Sequence, residues 1–320
     1  MRTIAVLLGS LLAAAPVTAP ADERISELIE RGLAPVRTER VHERIWLAVG
    51  NSNSYRIVTD AGSVIFDTGL HPQAIEQKAA LEAVAPGPVR YAILSHAHGD
   101  HTGGAELWRE AGAKVVAHRL FRQRAGDRER LSEFDTRRDS VLWGRVLETL
   151  PGSYRAVEPD SVVDERWDFQ LGDLSFQVLH MTGGEGPDGI ALWVPEIRAL
   201  FVGDMFGAIL NEEGAFPNLF TLRGETLREA VPYIETLERV LALEPELILP
   251  GHFEPVVGRE VIQKSVGRLL GAVRYVHDAT VAGMNEGRSL WELMREVELP
   301  PELAVNQQYG RVPWGVRAIW

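Results

Sequence analysis

Leu94-Ser95-His96-Ala97-His98-Gly99-Asp100-His101-Thr102-Gly103-Gly104 packs three histidines and an aspartate into six positions, directly after the apolar segment Tyr91 to Leu94. Side chains of an extended chain repeat every second residue, so His96 and His98 share a face. A turn at Gly99 then aims Asp100 and His101 to one side of them. Imidazoles with a carboxylate form a nitrogen-plus-oxygen donor set that suits zinc, with iron or manganese as alternatives. Four donors exceed what one closed zinc site draws from so short a stretch, which points to two metals side by side. The competing reading, a polar turn that is merely rich in histidine, leaves these groups to be buried together without partners, and that is costly.

Working outward, Arg44 to Val49, Tyr55 to Thr59 and Ser63 to Phe66 are short, β-branched or aromatic, and separated by Gly, Asn and Asp, which predicts antiparallel strands. His71 to Val84 carries alanine and leucine at helical spacing and stops at Pro86-Gly87-Pro88. With Tyr91 to Leu94 as a strand and Thr102 to Ala111 as a helix, the cluster occupies a strand-to-helix turn. A strand at Lys114 to Ala117 follows. The charged stretch Arg119 to Glu148 contains Leu131, Phe134, Val141, Leu142 and Val146 and reads mostly as helix with solvated charges. Strands are expected at Leu174 to His180, Ile190 to Val194, Ala199 to Val202 and Glu246 to Leu249, with a periodic helix at Glu225 to Leu243. From Arg259 onward the chain reads as helical, with Val261 to Met284 and Leu290 to Val297 bounded by Asn285-Glu286-Gly287 and Pro300-Pro301, so a boundary is placed near Gly258.

A chain of 320 residues with 45% apolar content can bury a full core. Residues 1–21 combine Arg2, an apolar run from Ile4 to Ala15 and Ala19-Pro20-Ala21, the pattern of a secretory signal, so a periplasmic or secreted protein is expected. The apolar run is too short and alanine-rich for a membrane span. There is no cysteine, so any metal must be held by histidine and carboxylate. The net charge of −12 becomes −13 once Arg2 leaves with the signal, which excludes nucleic-acid binding through a general basic surface. A small-molecule substrate that is neutral or locally steered fits better.

The His-Ala-His-Gly-Asp-His run after a strand, with Phe66-Asp67-Thr68-Gly69 upstream, resembles the metallo-β-lactamase superfamily. The resemblance implies an α+β protein, an αββα sandwich over residues 22–258 with a two-metal hydrolytic site at one edge, followed by a helical extension over 259–320. It implies two zinc ions held by His96, His98, Asp100, His101, Glu185, Asp204 and His252, with Asp204 bridging. Glu185 follows Thr182-Gly183-Gly184 where a histidine is usual, and His180 is the competing ligand there. A carboxylate at that position is the pattern of the zinc-dependent alkylsulfatases. Asn218-Leu219-Phe220-Thr221-Leu222-Arg223-Gly224 is similar to their Asn-Leu-Tyr-Thr-Leu-Arg-Gly segment. Tyr275 to Asp278, Met284 to Gly287 and Leu299 to Ala304 are similar to the start of their dimerisation region, which leaves two readings, a homodimer or amphipathic helices that pack onto their own domain. The chain departs from them at Gly203-Asp204, where they have Ala-Glu-Asn. It departs again at Pro313-Trp314-Gly315, where they have Ser-His-Asn, and its likeness to them reaches only the start of the dimerisation region.

Two zinc ions against Asp100, Glu185, Asp204 and a bridging hydroxide leave a near-neutral centre, and zinc brings the pKa of bound water to roughly 7. Asp100 and Asp67 are assigned to the catalytic machinery, Asp67 by fixing the tautomer of a ligand histidine, against the alternative of a plain turn aspartate. An anionic substrate needs a fixed cation, for which Arg223 is the candidate with Asn218 as hydrogen-bond donor; an exposed arginine before the Glu225 helix is the alternative. Trp143, Phe206, Phe216 and Phe220 are expected to line an apolar pocket, and His118 and His277 to be structural. The leading expectation is a hydrolase acting on an alkyl sulfate or related alkyl or acyl ester. The alternatives are a lactonase or β-lactamase of the same fold and a non-catalytic metal-binding partner protein.

Overall fold

The computed structural model describes residues 21–134, 136–137, 141, 157–206, 214–220 and 228–320. The run expected to be an export signal therefore lies almost wholly outside the described residues, as do Trp143 and Arg223. After helix α1 (Ala21–Leu33), a seven-stranded sheet takes β1 (Arg37–His42), β2 (Ile45–Val49), β3 (Ser54–Thr59), β4 (Gly62–Phe66), β5 (Val89–Ile93), β6 (Lys114–His118) and β7 (Ser161–Val163) in that spatial order. A six-stranded sheet runs β13 (Val256–Val257), β12 (Leu247–Pro250), β11 (Ala199–Gly203), β10 (Ile190–Val194), β9 (Leu174–His180) and β8 (Arg166–Leu171). Helices α2 (His71–Val84), α3 (Gly99–Thr102), α4 (Ala105–Glu110) and α5 (Phe121–Arg130) fall within the first half. The second half carries α6 (Ala230–Leu243), α7 (Arg259–Asn285), α8 (Leu290–Glu296) and α9 (Val312–Ile319).

Alternation along the strands sorts side chains into layers. Ile45, Leu47, Val64, Phe66 and Ile93 from the first sheet meet Phe176, Val178, Leu192, Phe201 and Leu249 from the second in one buried layer. Their neighbours point the other way. Ala48, Ile65, Ala92 and Leu94 pack under Leu81 of α2 and Trp108 of α4, and Trp193, Leu200, Val202 and Ile248 pack under Leu237, Val240, Leu269 and Val273 of α6 and α7. Strands buried on both faces read as near-continuous apolar runs. The result is an αββα sandwich in which α7, α8 and α9 share their core with the second sheet.

Several expectations are corrected. The helix expected over Thr102 to Ala111 is two short helices, because Gly103 and Gly104 press on the Thr68 to His71 segment: a Cβ on Gly103 would lie 2.2 Å from the His71 nitrogen. The helix expected from Glu225 begins at Ala230, since the Arg228 amide is bonded to the Leu219 carbonyl at 3.3 Å. The charged stretch agrees with its expected helix where it is described, with Phe121–Arg130 helical and residues 132–134, 136–137 and 141 helical as well, while most of its remainder lies outside the described residues. β1, β7, β8, β13 and α1 went unanticipated; β1 (RTERVH) and β8 (RWDFQL) are edge strands too polar to stand out. Phe206 and Phe216 belong to the fully buried core, Phe216 beneath Gly315, so they do not line a substrate pocket. Phe220 carries the Arg317 guanidinium 4.1 Å above its ring.

Candidate metal centre

β4 pairs parallel with β5, and β11 parallel with β12, so the carboxyl ends of these strands reach the same edge of the sandwich. Asp67 follows β4, the histidine turn follows β5, Glu185 follows β9, Asp204 follows β11 and His252 follows β12. Backbone hydrogen bonds stitch these ends together: Ile190 donates to the Ser95 carbonyl at 2.9 Å, Gly251 to Gly203 at 2.8 Å and Asn53 to Gly251 at 2.7 Å. The approach is close enough that a Cβ on Gly251 would sit 2.5 Å from Asp204 Oδ1 and 2.6 Å from His101 Cε1.

All seven ligands expected from the sequence converge. Donor atoms of His96, His98 and Glu185 lie within 4.8 Å of one another, as do those of Asp100, His101 and His252, and those of His96, His101 and Asp204, which join the two groups. Asp100 Oδ2 is 3.4 Å from His101 Nε2 and 3.2 Å from His252 Nε2. Asp204 Oδ1 is 3.4 Å from His101 Nε2, its Oδ2 is 3.4 Å from His252 Nε2, and Glu185 Oε1 is 3.4 Å from His98 Nδ1. These gaps are long for charge-assisted hydrogen bonds. They match the roughly 3.3 Å that tetrahedral angles impose between two ligands bound at about 2.0 Å to one zinc ion. His96 Nε2, His101 Nε2 and Asp204 Oδ1 are moreover buried with no hydrogen-bond partner among the described residues. Orphaned buried donors facing one another call for a cation, so the residues fit a metal pair.

The non-coordinating ring nitrogens are tied down. Asp67, in the left-handed region at φ 57°, accepts the Ser95 amide on Oδ1 at 2.7 Å and the Ser95 hydroxyl on Oδ2 at 2.8 Å. The same Oδ2 lies 2.9 Å from His101 Nδ1. Ser95 Oγ is also 2.9 Å from His96 Nδ1, so with its proton given to Asp67 it accepts the His96 N–H. His252 Nδ1 donates to the Asn51 carbonyl at 2.7 Å. Three rings thus turn their Nε2 lone pairs inward, the arrangement that metal-binding imidazoles require. Ser95 stood in plain view beside the histidines, whereas nothing in the sequence pointed to Asn51.

Charge within the centre is finely opposed. Burial works against a proton on His101, yet Asp204, Asp100 and Asp67 outweigh it and push its pKa well above the ordinary value. His252 is pushed up to about 10 against burial by Asp204 and Asp100. Burial, with His98 and His101 adding to it, holds His96 well below the usual imidazole range. Burial would raise Asp100 and Asp204, but His101 and His252 hold both well below the usual carboxylate range. The carboxylates therefore demand positive charge at this spot, carried by imidazolium where no metal is bound.

Glu185 is also held from behind by an ion pair with Arg228, itself only 4% exposed. Arg228 donates to the Asn218 carbonyl at 3.1 Å and lies 5.8 Å from the Tyr309 ring, linking the Glu185 turn, the Asn218 segment and the C-terminal region. This arginine escaped sequence reasoning because 43 positions separate it from its partner. Asn218 is half-buried beside it, with Oδ1 facing no hydrogen-bond donor among the described residues. His180 joins none of the ligand groups. It stacks on His118 with centroids 4.0 Å apart, and its Nε2 lies 2.9 Å from the Pro187 carbonyl.

Comparison with known proteins agrees with this geometry. The chain is 28% identical over 289 residues to a linear primary-alkylsulfatase of Pseudomonas sp. (strain ATCC 19151), an alignment that covers 81% of this chain and 53% of that protein. It is 24% identical over 271 residues to the human acyl-coenzyme A thioesterase MBLAC2, covering 78% of this chain and 90% of that one. Among solved structures, the stereoselective inverting sec-alkylsulfatase Pisa1 from Pseudomonas sp. superposes with a TM-score of 0.75 at 20% identity, covering 92% of this chain and 51% of that one. The chain spans about half the length of the alkylsulfatases it matches. The metallo-beta-lactamase superfamily model matches residues 47–252, which run from β2 to the last histidine of the cluster. By that match and by its αββα architecture, the chain belongs to the metallo-beta-lactamase superfamily and resembles the alkylsulfatases within it.

Proposed function

We propose that the chain is a hydrolase with two metal ions, zinc by its donor set, that cleaves an ester: an alkyl sulfate, or a related alkyl or acyl ester. One ion would be held by His96, His98 and Glu185 and the other by Asp100, His101 and His252, with Asp204 between them. The observation that carries this reading is the set of carboxylate-to-imidazole gaps of 3.2 to 3.4 Å, with His96 Nε2, His101 Nε2 and Asp204 Oδ1 buried and lacking a hydrogen-bond partner among the described residues. A bound metal pair supplies Lewis acidity, making water acidic enough to ionise near neutral pH and drawing charge from the scissile group.

The protein's own residues do the rest. Asp67 and Ser95 hold His101 and His96 in the tautomers that present Nε2, Asn51 does so for His252, and Arg228 holds Glu185 in register. Asn218 is the candidate hydrogen-bond donor to substrate, and Arg223 the candidate cation on the same segment. The alkylsulfatase likeness favours sulfate esters, and export to the periplasm or beyond belongs to the same reading. The test is one zinc-loaded preparation assayed against an alkyl sulfate, a simple carboxylic ester, a lactone and a β-lactam. Turnover of an ester, lost on chelation and restored by zinc, is the expected result. A preparation that binds two zinc ions and cleaves none of the four contradicts the assignment, and turnover of the lactone or β-lactam alone shifts it to the corresponding activity.

A further inference from the structure

The two halves of the centre are braced by different parts of the chain. Behind Glu185 stands Arg228, whereas the half made by Asp100, His101 and His252 leans on the loop Asn51-Ser52-Asn53 between β2 and β3. All three loop residues are buried. The Asn51 carbonyl accepts the His252 Nδ1 proton at 2.7 Å, and the Ser52 hydroxyl donates to the Asp100 carbonyl. Asn53 grips the His252 turn on both sides. Its backbone amide donates to the Gly251 carbonyl at 2.7 Å, and its Nδ2 reaches the carbonyls of Pro250 at 3.0 Å and Phe253 at 2.8 Å. Phe253 sits at φ 62°, a left-handed conformation that a side chain disfavours, so the turn that aims His252 needs such a hold. Among the described residues, no side chain of the three bonds to His96, His98 or Glu185. Ser54 differs: it donates to the Asp67 carbonyl at 2.8 Å, and Asp67 serves His101 directly and His96 through Ser95.

The loop is itself fixed from outside. Gln73 of α2 accepts the Asn51 amide on Oε1 at 2.7 Å, while its Nε2 donates to the Arg31 carbonyl at 2.9 Å and the Ala34 carbonyl at 3.2 Å. Asn51 Nδ2 donates to the Leu28 carbonyl of α1 at 3.2 Å, and Gln77 Nε2 donates to the Ser52 carbonyl at 2.8 Å. Packing leaves little slack, since a Cβ on Gly50 would lie 2.9 Å from both Gln73 Oε1 and Gln77 Nε2. We propose that Asn51, Ser52 and Asn53 are positioning residues for the Asp100, His101 and His252 half alone, so that this loop, anchored on α1 and α2, sets the affinity of one metal position independently of the other. Outer partners that orient ligands tune metal affinity in this way. The inference rests on the two-metal reading of the centre, and on no particular bond being cleaved.

The experiment compares the full chain with its Ser52→Ala and Asn53→Ala variants. Arg228→Met is the mirror change, and Thr280→Val removes a buried hydrogen bond within α7 instead. Zinc titration against a chromophoric chelator gives two dissociation constants, and anomalous occupancies from crystals grown at limiting zinc assign each constant to a position. The expected result is that Ser52→Ala weakens the Asp100, His101 and His252 position about tenfold and Asn53→Ala about 100-fold, with the other position unchanged. Arg228→Met should weaken the His96, His98 and Glu185 position, and Thr280→Val neither. Should Asn53→Ala fail to fold, Ser52→Ala decides alone. Equal weakening of both positions, loss at the other position, unchanged constants in Ser52→Ala, or a parent that binds a single ion overturns the proposal. A parent that binds two ions and hydrolyses no ester, yet loses one position selectively in Ser52→Ala, keeps the role of the loop and removes the hydrolase reading instead.

Discussion

Two clusters of histidine lie in this sandwich, and only one is built to hold metal. At the edge, His96, His98, His101 and His252 turn their rings toward one another with centroids 4.4 to 5.2 Å apart, and three carboxylates stand between them at coordination distance. Near the end of β6, His118 and His180 lie nearly parallel at 9° and 4.0 Å, offering ring faces rather than lone pairs. Among the described residues, no carboxylate comes closer to that pair than Glu165, 3.7 Å from His180 Nδ1, and Glu165 is exposed. Histidine count therefore decides little. Convergent nitrogens, buried carboxylates and anchored tautomers separate a metal centre from a packed pair.

The strongest way to break the contrast is to remove the residue that joins the two ligand groups. Asp204→Ala should lower zinc content to one ion per chain or fewer and reduce kcat by about a thousandfold, since a metal pair contributes several kcal/mol to charge stabilisation. His118→Phe, by contrast, should keep both ions, as metal analysis of the two purified variants will show. Next in size is Arg228→Met, which leaves Glu185 buried without its cation. The metal-free protein should lose about 3 kcal/mol in denaturant unfolding, a loss that zinc partly restores. Asp67→Asn removes the acceptor that fixes His101 while keeping a residue that tolerates positive φ. Competition with a chelator should show zinc affinity lower by about 10- to 100-fold.

Smallest is the effect that sharpens the other cluster. Burial, reinforced by His180, lowers the His118 pKa to about 4. Between the unfolded imidazole value of about 6.5 and that pH, the unfolded chain binds a proton that the folded chain does not. Stability should thus fall as pH drops through this window, and His118→Phe should flatten the fall in thermal melts of metal-free protein, where the edge cluster makes its own, separate contribution.

Much of this architecture is legible in the amino-acid sequence, for physical reasons that differ by region. The sandwich strands β10 and β11 fall where continuous apolar runs place them, because strands buried on both faces carry an unambiguous pattern. The ligands from His96 to His101 are local, and their alternation alone predicts a shared face. Glu185, Asp204 and His252 come from likeness to a family, since no local rule links residues brought together by tertiary folding. Edge strands such as β1 stay hidden because polar, half-solvated segments lack periodic contrast. Arg228 and Asn51 stay hidden because positioning contacts depend on a backbone carbonyl or a distant carboxylate rather than on composition. Phe206 and Phe216 show the converse, aromatic residues that look available for a ligand but are consumed by the core.

Anomalous diffraction recorded at the zinc edge from crystals of zinc-loaded protein addresses the centre most directly. Two peaks are predicted, one bounded by His96, His98 and Glu185 and the other by Asp100, His101 and His252, with Asp204 touching both. A single peak, or ions seated away from these seven side chains, would contradict the account.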